Sequence, residues 1–245
     1  MDITVTRDVP CIDRAEATPQ LLDVYQPRTE GPAPVALLWH GSTPDEKDVL
    51  APLAEEVARH GLVVFVPNWN PAAPDRGQSQ LLASLRHLRS RAAHYNGDID
   101  RSVVAGWSAG AGAAVGLALA PRPADDWSPS AVVGLAGRYD VPARSTGMVP
   151  LDDVKGPASP ATPVHLVHGT MDVTLSGGYS RHLLEALEHV GRPVTLAEPD
   201  TDHAGVVMTE FDPALGRCRR TRSEHAVRAG RQTARILAQA VSATF

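Results

Sequence analysis

Short apolar runs alternate with segments of helical periodicity along almost the whole chain. Residues 35–39, 62–66, 102–107, 131–136, 164–168 and 194–197 are dominated by apolar side chains and are four to six residues long, the length of a buried strand. Between them, 45–60, 76–95, 109–120, 178–190 and 223–241 carry apolar residues at helical spacing. In 76–95, for example, Leu81, Leu82, Leu85 and Leu88 fall on one face. Two further strands are predicted at 2–6 and 20–25, separated by a polar, turn-rich stretch. This alternation predicts an α/β fold: a mostly parallel sheet of about eight strands, helices on both faces, right-handed crossovers between them. No repeat period and no linker divides the chain, so one domain over 1–245 is expected. Residues 139–162 have little periodicity and several prolines. They are expected to be an irregular excursion, either a lid facing a substrate or a plain surface loop.

Composition narrows the function classes. The chain has 245 residues, 43% hydrophobic and 21% charged, enough to bury a large core without metal or disulfide staples. A net charge of −5 argues against a nucleic-acid or membrane-surface binder, which usually needs a basic face. Lys47 and Lys155 are the only lysines, and the arginines are scattered, which reads as compositional bias. Cys11 and Cys218 carry no metal-ligand spacing and no CxxC motif, and whether they pair stays open. Residues 102–120 run without a charge and are long enough to span a bilayer, but their glycines fit the motif below better. The opening Met1-Asp2-Ile3-Thr4-Val5 has neither a basic nor an apolar leader character, so a cytoplasmic location is expected.

Four strand ends carry candidate chemistry. Gly106-Trp107-Ser108-Ala109-Gly110 matches G-x-S-x-G, preceded by a predicted strand and followed by a small-residue helix. A serine hydroxyl becomes a useful nucleophile only when a sharp turn presents it beside a base and oxyanion donors. The bland alternative is a chance pentapeptide, which the strand–helix context opposes. Gly110-Ala111-Gly112 with Gly116 also resembles a degraded dinucleotide fingerprint, but these glycines lie inside the helix and suit close helix–sheet packing, so no cofactor is expected.

Trp39-His40-Gly41-Ser42 ends an earlier strand. The amides of Ala109 and Ser42, with Gly41 as neighbour, are the expected oxyanion donors, and His40 is expected to be structural. His168-Gly169-Thr170-Met171-Asp172 and Asp202-His203-Ala204-Gly205 follow two later strands. The order Ser108…Asp172…His203 is that of a nucleophile, an orienting acid and a base. Asp140 is a rival acid, Asp200 and Asp202 read as loop carboxylates, and His225 lies in a helical pattern with an ordinary surface explanation. Trp39, Trp107 and Tyr139 are candidates to line a substrate pocket. His165 and His168 point to opposite faces of a strand, so no metal site is expected there. Arg217, Arg219, Arg220 and Arg222 form a basic cluster read as a solvated segment.

These motifs, with Leu22-Asp23-Val24-Tyr25-Gln26-Pro27 near the start, resemble an α/β-hydrolase of the compact carboxylesterase or dienelactone-hydrolase-like type. The resemblance spans residue 20 to the C-terminal helix and concerns fold and machinery, not one substrate. It implies a serine hydrolase that cleaves small to medium carboxylic esters through an acyl-enzyme; that chemistry needs no metal or organic cofactor, and the net charge gives no reason to expect a nucleic-acid or membrane partner. Where many such enzymes have His-Gly-Gly-Gly, this chain reads His40-Gly41-Ser42-Thr43. An acyltransferase, thioesterase or peptidase on the same scaffold, or a non-catalytic binding module, is the alternative. The oligomeric state is left open.

Overall fold

The computed structural model describes residues 1–11, 20–120, 127–154 and 161–241. In chain order its elements are β1 Ile3–Pro10, β2 Leu21–Pro27, β3 Ala33–Trp39, α1 Ala51–Arg59, β4 Val63–Pro67 and α2 Gln78–Arg91. There follow β5 Gly97–Trp107, α3 Ala109–Leu119, β6 Ala131–Leu135, α4 Pro150–Asp153, β7 Val164–Val167 and α5 Gly178–His189. The chain continues with β8 Val194–Ala197, β9 Thr209–Asp212, β10 Arg217–Arg220 and α6 Glu224–Ala240. Eight strands make one sheet in the order β1-β2-β4-β3-β5-β6-β7-β8. β1, β2 and β4 pair antiparallel, and every other neighbour is parallel.

The alternation of side chains across each strand builds two cores. On one face Ala36, Leu38, Val64, Val103, Ala105 and Val133 meet α1 through Leu53 and Val57, and α6 through Ala234 and Leu237. On the other, Val35, Leu37, Phe65 and Val104 meet α2 through Leu81, Leu85 and Leu88. Further along that face Val132, Val164 and Leu166 meet α3 and α5 through Val115, Leu183 and Leu187. Parallel strands covered on both sides need such continuous apolar runs, which is why these segments lack a polar face.

Register aligns the strand ends that carry the motifs. Trp39 pairs with Gly106, Trp107 with Leu135, and Leu135 with Val167. His40, Ser108, Ala136 and His168 therefore leave the sheet along a single rim, the carboxyl edge where open α/β sheets bind ligands. Within the described part of 139–162, α4 is a single turn, and positions 155–160 lie outside the described residues.

The β9–β10 hairpin was not visible in the hydrophobic pattern. Its strands have four residues each; β9 carries Glu210 and Asp212, and β10 is rich in arginine. Arg219 pairs with Glu210 and Asp212 inside the hairpin, Arg217 with Asp48 and Arg220 with Glu55. Cys11 and Cys218 are free thiols that pack on opposite faces of the sheet. Among the described residues no helix is long and apolar enough to cross a membrane, and 102–120 divides into β5 and α3.

Candidate active site

Ser108 sits between β5 and α3 with φ 55° and ψ −116°, a conformation that non-glycine residues rarely adopt. Holding it costs on the order of 1–3 kcal/mol, so the surroundings must enforce it. They do so through close approach. A Cβ on Gly106 would lie 2.0 Å from the Gly110 carbonyl oxygen, and one on Gly110 would lie 2.5 Å from that of Trp39. The Ser108 amide donates to the Leu135 carbonyl at 2.9 Å, fixing the turn to β6.

The His40 loop is fixed by its imidazole. Trp69 N–H donates to His40 Nε2 at 3.1 Å, so that nitrogen is the acceptor and Nδ1 carries the hydrogen, which points at the Gly41 carbonyl 3.2 Å away. Burial holds this histidine down to about 4, so it stays neutral. Among the described residues the amides of Ser42 and Ala109 make no backbone hydrogen bond. Ala109 opens α3, where the helix dipole favours negative charge.

Asp172 and His203 meet directly, Nδ1 to Oδ2 at 2.7 Å. The other carboxylate oxygen accepts from the amides of Thr174 at 2.8 Å and Leu175 at 2.9 Å. Burial pushes this carboxyl up, but hydrogen bonds from His168, His203 and Leu175 outweigh it and hold it well below the usual carboxylate range. Asp140, the rival acid, is instead gripped by the Arg138 guanidinium at 2.6 and 3.1 Å. Asp202 turns back to accept from the Gly205 amide, and Asp200 accepts from Thr170 Oγ1. His225 is bonded to Ser223 on α6.

Trp39 and Tyr139 do not line a pocket, which corrects the expectation for both. Trp39 is fully buried on the α2 side and its indole donates to Ser84 Oγ at 2.9 Å. Strand alternation places it with Val35 and Leu37 on that face, pointing into the core. Tyr139 is also fully buried, against Ala111, Val115 and Leu183, its phenol in the space left by Gly134 and Gly137. Trp107 is 5% exposed and lies beneath the site. Its ring packs where a Cβ on Gly41 would be, and its indole donates to the His203 carbonyl at 2.9 Å.

A cleft of about 180 Å³ opens over Ser108 and Ala109, lined by Gly112, Leu175 and Val141–Arg144, together with Arg76 and Arg138. Nothing in the spacing of the three arginines marks them in the sequence; the fold brings together the loops that carry them. Arg144 lies over the Trp69 ring and donates to the Pro71 and Arg76 carbonyls. Burial, with Arg76 close by, weighs against its charge. Among the described residues neither Arg76 nor Arg144 has an acidic partner.

The chain has the α/β-hydrolase fold. No family model matches it, and no curated protein matches it by sequence. Solved structures match over nearly its whole length. Esterase B from Lactobacillus rhamnosis, solved with a tributyrin phosphonate inhibitor, is 18% identical at a TM-score of 0.74, over 98% of this chain and 87% of that one. A Klebsiella pneumoniae protein provisionally described as a dienelactone hydrolase is 18% identical at 0.71, over 99% and 100%. Thermogutta terrifontis esterase 2, solved phosphorylated by paraoxon, is 17% identical at 0.70, over 96% and 91%.

Proposed function

We propose that this protein is a serine hydrolase of small to medium carboxylic esters, working through an acyl-enzyme. The observation that carries the reading is the Asp172–His203 hydrogen bond on the same rim as a serine held at positive φ. In this reading Ser108 Oγ attacks the ester carbonyl while His203 Nε2 takes its proton. Asp172 keeps the other ring nitrogen protonated and supports the imidazolium that forms. The amides of Ala109 and Ser42, with Gly41 leaving room beside them, receive the oxyanion. His203 then protonates the departing alcohol, and water, activated by the same imidazole, releases the acid.

The cleft bears on the substrate. About 180 Å³ suits a short acyl chain, and the guanidinium groups of Arg76 and Arg144, without acidic partners among the described residues, favour an ester carrying a negative charge. That similar folds occur in esterases captured with a phosphonate and with paraoxon supports a nucleophile of this kind here. The test is labelling with a fluorophosphonate probe, together with turnover of p-nitrophenyl esters from acetate to palmitate. Ser108 is expected to be the modified residue, with best turnover on the shortest acyl chains. Ser108→Ala is expected to lose labelling and roughly four or more orders of magnitude in kcat. Normal hydrolysis by that variant overturns the proposal.

A further inference from the structure

His168 belongs to the acid's surroundings and has no part in the chemistry just described. It leaves the sheet directly after β7 and is fully buried. Its Nε2 lies 3.0 Å from the Leu175 carbonyl oxygen and 3.2 Å from Asp172 Oδ2. Both partners are acceptors only, so Nε2 must carry the ring hydrogen of a neutral imidazole. Nδ1 is then the acceptor for Ser180 Oγ, 2.8 Å away on α5 and itself fully buried. His203 presents the opposite tautomer to the same oxygen, with Nδ1–H directed at Oδ2.

We propose that His168 is a positioning residue for Asp172: its Nε2–H clamps the Leu175 carbonyl and faces Oδ2, so that one carboxylate is shared between two imidazoles. Leu175 is held from both ends of this arrangement. Its carbonyl accepts from His168 and its amide donates to Asp172 Oδ1. The turn carrying the acid is thus tied to β7 and α5 rather than left to its own short-range bonds. The sharing also has a chemical consequence. Two amides donate to Oδ1, the His203 ring N–H is directed at Oδ2, and His168 Nε2 lies 3.2 Å from that same oxygen, so the carboxylate is faced by donors on both of its oxygens. A carboxylate whose charge is already engaged supports a neighbouring imidazolium less strongly than one that faces it alone.

The other charged groups near the pair do not compete for this role. Asp202 is occupied by the Gly205 amide, Asp200 by Thr170, and Arg138 by Asp140, while Arg76 and Arg144 line the cleft beyond. None of these contacts involves His168, so a shift on substitution at 168 reports on Asp172 and His203.

This inference rests on the hydrolytic reading for its kinetic readout but not for its spectroscopic one. In the labelled wild-type protein, long-range 1H–15N correlation is expected to show His168 as the Nε2–H tautomer. An Nδ1–H tautomer overturns the proposal without any variant being made. In His168→Leu, the ring titration of His203 and the acidic limb of kcat/KM are expected to move up together by roughly half a pH unit or more. His168→Gln, which can place an amide N–H near the same acceptors, is expected to recover most of that shift. Ser180→Ala, which leaves the imidazole in place but removes the group that fixes its tautomer, is expected to shift His203 in the same direction by less. A lower melting temperature with an unmoved His203 titration would mean packing alone and overturns the proposal. If no ester is turned over, the hydrolytic reading fails, and the tautomer and titration still decide this one.

Discussion

The indole of Trp107 donates to the backbone carbonyl of His203 at 2.9 Å, and the two rings lie 5.2 Å apart at centroid. The residue immediately before Ser108 therefore holds the loop that carries the imidazole, across 96 positions of sequence. In the proposed hydrolysis these two segments must keep a fixed geometry, and one part-buried hydrogen bond joins them. Trp107→Phe keeps the ring body and removes the donor. Stability is expected to fall by about 1 kcal/mol. Turnover is expected to fall roughly tenfold, because the imidazole loses its register with the serine. Urea denaturation and steady-state kinetics measure the two separately; a variant that loses stability but keeps full turnover would show that the bond only packs the loop.

The glycines of the serine turn have no room for a methyl group. Gly110→Ala would press a Cβ against two backbone carbonyls, Trp39 at 2.5 Å and His40 at 2.6 Å, and neither can yield without moving β3. The expected cost is roughly 3 kcal/mol or more, read as a fall in the urea midpoint or as failure to fold. Gly31→Ala is the control, since nothing lies within 4 Å of its Cβ position. Similar midpoints for the two variants would contradict the close-approach account.

Acid is expected to destabilise the fold well above the carboxylate range. Burial holds His40 and His87 down to about 4, and lowers His165 as well, from an ordinary value of 6.5. In the unfolded chain these groups take up protons as the pH falls through about 6.5; in the folded chain His40 and His87 resist until about 4, and His165 resists in the same direction. The unfolded state thus binds more protons across that window, and stability is lost as pH falls from 6.5 towards 4. Asp172, held low in the fold, extends the loss below its ordinary 3.8. Chemical denaturation between pH 8 and 4 measures this. A flat profile down to pH 4.5 would show that the histidines are not held neutral, and His87→Gln is expected to remove part of the slope.

The fold was legible because its signal is repetitive. Each of the six parallel-region strands is an apolar run, and each helix repeats a face, so register errors of a residue or two did not disturb the topology. Ser108, Asp172 and His203 stood out because sharp turns at strand ends demand particular neighbours, such as Gly106 and Gly110. What escaped lacks a local pattern. The β9–β10 hairpin is held by ion pairs such as Arg219 with Glu210 and Asp212, not by alternation. Trp39 and Tyr139 stand beside motif residues in sequence, yet strand alternation and the space over Gly134 and Gly137 turn them into the core. His168 was seen as part of a motif, but its bond to Ser180 joins a strand end to a helix and exists only once both are packed.

The arginine-lined cleft leads to a prediction about charge. Arg144 is held by the Trp69 ring and two backbone carbonyls, so its guanidinium is placed rather than swinging free. Arg76 lines the same cleft, and among the described residues neither has a carboxylate to neutralise it. Two such charges at a partly enclosed site repel one another, and an anionic substrate group relieves that repulsion while gaining charge-assisted hydrogen bonds. The wild-type protein is therefore expected to prefer the mono-aryl ester of a short dicarboxylic acid over a neutral aryl ester of equal length. Arg144→Gln is expected to lower kcat/KM for the anionic ester roughly tenfold or more, and to leave the neutral ester within about threefold, since no charged bond is lost. The preference is also expected to shrink as ionic strength rises, because the cleft is open to solvent and added salt screens its field. Equal losses on both esters would mean that Arg144 shapes the cleft through packing on Trp69, and an initial preference for the neutral ester would remove charge from the account of substrate choice altogether.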